Sequence, residues 1–426
     1  MNDYNSTTNN NKFPTETVLL LVAGGSLGAY ECGVFKSLAK HNIWFDIIAG
    51  TSIGAVNSVL ITDSLRKSNL LNKKNREIIN EGIRHKMLIE AAKRLEDFWL
   101  ASADNAIPGF LPFKVRSYTS AANTFTLGHP NALTPIWFYV GGPLLNNGFT
   151  SPYLYDTTRF KQTLEKTIHF KNLRPGDNST NYISSNSNGY RNNNNNNNNN
   201  NHEAFCPRLI LASTDIQKAE PVLFDTDTMD ITSEQLSACI AYPYYGLKWA
   251  NMDGKYLWDG SLLSSSPLKP VMRLSPFKQK RIISIDTFPR HQQKIPNNFA
   301  EAWHRARDIT FLDKSQAEVD VSDDLKPIFP LLEEMHNIIV EAFNMIDDKN
   351  LKKRIEQLDK KYGYDDIIRR RGRIIDDLLQ IRRYEDEKSH HSFFEDWDYS
   401  LPTIKELIRQ GEQDADSTLQ QTNIKT

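Results

Sequence analysis

Ser52 lies between two glycines in FDIIAGTSIGAVNSVL, residues 45–60, where an apolar run meets a helical pattern. GTSIG, residues 50–54, fits the G-x-S-x-G elbow, a sharp strand-to-helix turn that presents a serine hydroxyl at the carboxyl end of a strand. Gly50 and Gly54 suit such a turn because a side chain at either position would collide with the neighbouring strand or helix. The helix start adds backbone N–H groups and a positive dipole, which favour negative charge developing beside Ser52. Five-residue matches of this kind also arise by chance, and a serine ahead of a helix also serves as a plain cap. The surroundings must decide between nucleophile and cap.

A second glycine run, AGGSLGAY at residues 23–30, follows the preceding apolar run. Its backbone N–H groups could form an anion-binding nest, which in an acyl-transfer site is the oxyanion hole. A dinucleotide phosphate loop is the competing reading, and its details fail: the spacing is AGGSLG rather than GxGxxG, and Asp46 precedes its strand instead of ending it. No GK[ST] follows, which excludes a P-loop. A nucleophilic serine needs a base, and NMDGKYLWDGSLLSSSPL holds two Asp-Gly pairs. Asp253-Gly254 has a structural account as a two-residue hairpin turn. Asp259-Gly260 ends a strand with no matching return strand after it, so it reads either as another turn or as a carboxylate held beside the serine, with Gly260 permitting close approach. Among the histidines, His304 in EAWHRARD is the best-placed candidate for a triad, but its neighbours suit a packed or solvated side chain. His390 and His391 sit in a charged stretch and read as solvated. No HExxH or paired His/carboxylate spacing suggests a metal.

These residues must be carried by elements. VLLLVAGG, FDIIAG, PRLILASTDI, AEPVLFDT and RIISIDTF read as strands, and KWANMDGKYLW as a hairpin. AYECGVFKSLAKHN, AVNSVLITDSLRK, residues 76–100, SPYLYDTTRFKQTLEKTI (with Asp156 and Thr157 at its cap) and a stretch from about Ser233 read as helices. The strand-helix alternation indicates parallel α/β architecture. Residues 104–149 carry Pro, Gly and aromatics without a period and read as a long irregular segment, a lid or acyl-chain loop or else a packed surface loop. Residues 1–16 read as a disordered tail, and 176–202, with the run Asn192–Asn201, as a disordered insertion. The catalytic domain is expected over 17–290, a mostly helical region over 291–415 with a strand at LLQIRRY, and a disordered tail over 416–426. The basic stretch IIRRRGRIIDDLLQIRR, 367–383, reads either as a contact for anionic headgroups or, given the aspartates at 365, 366, 376 and 377, as a solvated, internally paired face, which those aspartates favour.

Composition narrows the class. With 426 residues, 51 basic against 52 acidic side chains and 39% apolar residues, the chain has the make-up of a soluble globular protein and no electrostatic footprint for nucleic acid. Cys32, Cys206 and Cys239 lack metal or disulfide spacing and fit a reducing compartment. MNDYNSTTNNNKF does not read as a signal peptide and no run is long enough to span a bilayer, so the expected location is cytoplasmic, with a membrane or lipid-droplet surface reachable by peripheral contact.

The glycine loop, the elbow and the late Asp-Gly pair together resemble the patatin-like phospholipase family, over roughly residues 17–415 apart from the asparagine insertion. The resemblance implies a three-layer α/β fold with a central, mostly parallel sheet and a mainly helical C-terminal extension. It also implies a Ser-Asp dyad without histidine, no cofactor, and acyl lipid, chiefly phospholipid, as substrate. By the resemblance Ser52 is the nucleophile and Asp259 the proton acceptor. Gly24, Gly25 and Ser26 supply the oxyanion amides, and Gly28 and Gly260 support their motifs. Ala23 stands in place of the loop's first glycine, and Leu27 where many members carry arginine. Ser261 stands where glycine or alanine is usual and would crowd the base. With Ala23 it favours a second reading, a scaffold or regulatory protein that keeps the fold with an impaired site. The oligomeric state is not encoded in any of these features.

Overall fold

A computed structural model describes residues 15–22, 24–74, 80–104, 112–136, 151–175, 206–288, 290, 295–312, 315–345, 348–363, 371–383 and 395–422. The chain opens with β1 (Thr15–Leu21), α1 (Gly28–Lys40), β2 (Ile47–Gly50) and α2 (Ile53–Lys74), followed by α3 (Glu81–Ser102) and α4 (Phe113–Leu127). A small ladder of β3 (Thr134–Pro135) and β4 (Tyr155–Asp156) precedes α5 (Thr158–Thr167). Then come β5 (Arg208–Asp215), β6 (Glu220–Asp225), α6 (Ser233–Ile240), β7 (Ala250–Met252), β8 (Lys255–Asp259), α7 (Leu268–Leu274) and β9 (Gln279–Asp286). The remainder holds α8 (Phe299–Phe311), α9 (Gln316–Leu325), α10 (Ile328–Met345), α11 (Lys349–Tyr362), β10 (Ile375–Arg382) and α12 (Leu401–Gln421).

The central sheet has eight strands among the described residues, in the order β10-β9-β1-β2-β5-β8-β7 with β6 also on β5. From β10 to β5 all neighbours are parallel, whereas β6, β8 and β7 join antiparallel. Alternation along β1 divides the core. Leu19 and Leu21 face a cluster built with α1, α2 and α3, and Val18 and Leu20 face one built with Leu268 and Val271 of α7. This is the period of two that a strand buried on both faces requires, and it accounts for the unbroken apolar run. The three-layer, mostly parallel architecture matches the expectation. Among the described residues, no helix is long and apolar enough to cross a membrane.

Three expectations need correction. Residues 104–149 are not irregular throughout, because α4 occupies 113–127. Its inward positions are Ser117, Ser120, Ala121 and Thr124, of which only Ala121 is apolar, so no inward apolar stripe marked it as a helix. The boundary near residue 290 does not divide the fold, since β10 extends the sheet beside β9 in register Leu378↔Ile282 and Leu379↔Ile283. Within the basic stretch, Ile375–Arg382 is therefore strand, with Arg281 and Asp377 paired at 3.7 Å, while residues 364–370 lie outside the described part. The tail beginning at 416 is helical to Gln421, because Ile404, Leu407, Ile408, Ala415 and Leu419 form a helical stripe buried against α1. Polar residues between them dilute that stripe in the sequence. A Cβ at Gly33 would stand 1.9 Å from the Ile408 carbonyl oxygen and one at Gly411 2.1 Å from that of Tyr30, so α1 and α12 touch backbone to backbone. Residues 1–14 and the asparagine-rich 176–205 lie outside the described part.

Docking of α12 is thus part of the core. Ile404 is fully buried, and Ile404→Ala should lower stability by about 2–5 kcal/mol in chemical denaturation. A loss within experimental error would show that α12 does not pack on α1.

Candidate active site

β2 ends at Gly50 and α2 begins at Ile53, so Thr51 and Ser52 alone make the turn. Ser52 has φ of 54°, a left-handed conformation that a residue with a side chain adopts only when its surroundings impose it. Those surroundings are tight. A Cβ at Gly54 would lie 2.2 Å from the Leu21 carbonyl oxygen, and one at Gly50 would lie 2.4 Å from Ser58 Oγ. Thr51 donates its N–H to Leu21 O at 3.1 Å and its hydroxyl to Ser265 O at 2.8 Å, which ties the elbow to β1 and to the chain beyond Asp259. The turn from β2 into α2 is thus sharp, with its backbone strain at Ser52.

Asp259 is delivered by the sheet. The antiparallel pairing of β8 with β5 sets Ser213 opposite Asp259, and the Asp259 N–H donates to Ala241 O at 3.1 Å. Gly260 allows this, since a Cβ there would meet Ala212 O at 2.5 Å. The carboxyl group is fully buried. Its Oδ1 accepts from the Ser261 N–H at 2.9 Å and from the Ser261 hydroxyl at 2.8 Å. Oδ2 has no hydrogen bond of full geometry among the described residues, although the Ser52 hydroxyl lies close enough to favour the carboxylate. Such loose contacts are usual before substrate binds. Burial pushes the Asp259 pKa up to about 6, against the opposing pull of the Ser261 N–H and of the Ser52 and Ser261 hydroxyls. Ser261 therefore holds the carboxyl rather than crowding it. Asp253, by contrast, has φ of 50° and Gly254 of 76°, the paired left-handed residues of the β7–β8 hairpin turn.

The glycine loop follows β1 as a single 3-10 turn, Gly25–Leu27, with the Leu27 N–H donating to Gly24 O at 3.2 Å. Gly25, with φ of 56°, lines the same cavity as Ser52, and Ser26 is buried. Ala23 lies outside the described residues. A Cβ at Gly28 would meet Trp99 at 2.5 Å, so α1 starts hard against that ring. One buried network joins these parts. Glu31 accepts from the Val22 N–H at 2.6 Å and from Asn57 at 2.8 Å, Asn57 also donates to Gly28 O at 2.9 Å, and Trp99 donates to Asn57 Oδ1 at 3.0 Å. Sequence reading missed Glu31, Asn57 and Trp99. The available signal was a charged residue inside an otherwise apolar helix start.

Ser52 and Gly25 line a cavity whose walls include Phe98, Trp99, Phe160, Ile240, Leu247 and Trp397. The segment after α4 contributes His129, Asn131, Ala132 and Leu133. The C-terminal contribution of Asp396, Trp397 and Tyr399 was not anticipated. Asp396 accepts from Arg307 and from the Tyr245 hydroxyl, and a Cβ on Gly25 would collide with its carbonyl oxygen at 2.0 Å. Burial, then the Asp396 charge, keep the Tyr245 phenol protonated as that donor. His304 is no part of the cavity lining. It is buried with Nδ1 3.3 Å from Asp308 Oδ2 and Nε2 3.0 Å from Arg307 Nη2, a packed histidine. His390 and His391 lie outside the described residues.

The family model described as patatin-like phospholipase matches residues 19–272, which carry every one of the glycine-loop, elbow and Asp-Gly residues above. The chain belongs to the patatin-like phospholipase family. Membership supports lipid acyl hydrolysis as its general class of chemistry. Among solved structures, the crystal structure of VipD from Legionella pneumophila is similar at 12% identity and a TM-score of 0.35, over 96% of this chain and 67% of that chain. No curated protein matches the chain.

The electrostatics of Asp259 have a consequence for folding that does not depend on catalysis. A carboxyl raised from 3.8 to about 6 gives stability that is present below the lower value and lost as pH rises through the upper one. Asp259→Asn should therefore raise stability at alkaline pH by up to about 3 kcal/mol and leave it unchanged in acid, as read by thermal melts across pH.

Proposed function

We propose that this chain is a serine lipid acyl hydrolase that cleaves phospholipid esters through an acyl-enzyme, with Ser52 as nucleophile and Asp259 as its base. One observation carries the reading: a strained serine and a buried carboxyl approach each other beside a glycine loop, at a cavity with aromatic and aliphatic walls. As Ser52 Oγ bonds to the ester carbonyl carbon, its proton passes to Asp259, and the carbonyl oxygen takes the negative charge against the amides of Gly24, Gly25 and Ser26. Collapse of this intermediate breaks the ester C–O bond, and the proton on Asp259 goes to the departing alkoxide. Water then repeats the sequence in reverse roles and releases the fatty acid. A carboxylate of ordinary pKa is a weak base at neutrality, and the burial of Asp259 makes it a stronger one. The apolar cavity suits an acyl chain, and a chain of this substrate class must meet a lipid surface peripherally.

The impaired-scaffold reading drew on Ser261 and Ala23; the two hydrogen bonds from Ser261 to Asp259 count against the first, and Ala23 lies outside the described residues. A fluorophosphonate probe tests the assignment. Wild-type protein should be labelled at Ser52, Ser52→Ala should not be labelled, and Asp259→Asn should react at least about a hundredfold more slowly. Absence of labelling in folded wild-type protein would refute the hydrolase.

The pH profile tests the base separately. kcat/KM on a soluble ester should fall as pH drops through about 6, because Asp259 must be ionised to accept the proton. Ser261→Ala removes one donor to the carboxylate, so this acid limb should move to higher pH, by up to about one unit. An unmoved limb would assign the titration to another group.

A further inference from the structure

His129 is the polar exception in the cavity wall. It is 5% exposed and lines the same cavity as Ser52, yet neither ring nitrogen has a hydrogen-bond partner of full geometry among the described residues. A tight turn fixes its place. Gly128, with φ of 77°, follows α4, and a Cβ there would meet the Leu133 carbonyl oxygen at 2.2 Å. His129 and Leu133 then exchange backbone hydrogen bonds, each of 2.9 Å, and the imidazole lies 5.0 Å from the Tyr399 ring. Elsewhere in the lining, Asp396 spends its carboxylate on Tyr245 and Arg307. A buried polar group without a partner is costly, so a nitrogen kept unpaired in such a wall points to a partner that arrives with the ligand.

The state of the ring says which partner. Burial lowers the His129 pKa below the usual histidine value, against the smaller opposing pulls of the Ser102 carbonyl oxygen and the Asp104 charge, so the ring is uncharged at physiological pH. A neutral imidazole has one N–H and one bare nitrogen. The Ser102 carbonyl oxygen draws the N–H, which leaves the other nitrogen an acceptor with no donor among the described residues. An acyl chain, an ester and a phosphodiester offer it nothing, because none of them donates. A hydroxyl donates and brings no charge into an apolar wall. We propose that the cavity takes a lipid with a free hydroxyl, which donates to the bare nitrogen of His129 and selects that lipid over its deoxy counterpart; this rests on the reading of the cavity as an acyl-lipid site and names the polar group of its substrate. That hydroxyl belongs either to the glycerol of a monoacyl lipid or to a polyol headgroup.

Binding is measured on the full chain carrying Ser52→Ala, by tryptophan fluorescence, since Trp99 and Trp397 stand in the cavity wall. Short-chain lipids are compared in pairs: decanoyl lysophosphatidylcholine against its deoxy analogue, and dihexanoyl phosphatidylglycerol against dihexanoyl phosphatidylpropanol, which lacks the headgroup hydroxyls. In at least one pair the hydroxyl lipid should bind at least about tenfold more tightly, and the pair that shows it says which hydroxyl is read. His129→Leu in the same background should reduce that preference to within about twofold and leave the affinity for the deoxy lipid within about twofold of its parent's. Its melting temperature should be unchanged or higher, because a buried group without a partner has been removed. The proposal is overturned by no saturable binding, by no preference in either pair, by a preference that survives His129→Leu, or by equal weakening of both members of a pair. A lower melting temperature of His129→Leu also overturns it, since the imidazole is then paired within the protein. A preference that His129→Leu removes, in a chain whose wild type neither reacts with fluorophosphonate nor cleaves any of these lipids, keeps the hydroxyl site and refutes the hydrolase reading alone.

Discussion

The site depends on β5 pairing with two strands at once. Its first half, Arg208–Leu211, runs parallel to β2, which ends in the elbow, and its second half, Ser213–Asp215, runs antiparallel to β8, which ends in Asp259. A single strand thereby sets the separation of a hydroxyl and a carboxyl that are far apart in the chain. A slip of one residue in either ladder would turn the corresponding side chain to the opposite face of the sheet. The sheet's register is consequently a constraint on the candidate site as well as on the fold.

Two local costs are held in place by that frame. Ser52 occupies a backbone conformation unfavourable for a residue with a side chain, and Asp259 is an ionisable group with no solvent contact. Neither would persist in a loosely packed domain. The glycines at 50, 54 and 260 let backbone segments close around both groups, and the Glu31–Asn57–Trp99 network fastens the loop, the elbow helix and the cavity wall into one unit. Ser261 orients the carboxyl by two bonds to the same oxygen and leaves the other oxygen toward chemistry.

Much of this was legible in the sequence, because sharp turns and close backbone approaches admit few residue types. GTSIG, AGGSLG and the second Asp-Gly pair stand out for that reason, as do the apolar runs of a sheet buried on both faces. What stayed hidden depends on contacts between distant segments. Asp396, Trp397 and Tyr399 have no local pattern that marks them as cavity wall, and Arg307 reads as one charge among many until its buried partner is seen. Helix α4 escaped notice because its polarity runs opposite to the usual rule, and α12 because its buried stripe is sparse.

Closure of the cavity by Asp396, Trp397 and Tyr399 has a consequence for biosynthesis. Translation runs from the amino end, so a ribosome-bound chain that has emerged only as far as β9 already carries the elbow, the carboxyl and most of the sheet. It lacks the edge strand β10, the helix that covers α1, and one side of the cavity wall. The cavity is in this way left without part of its wall until synthesis has passed Tyr399.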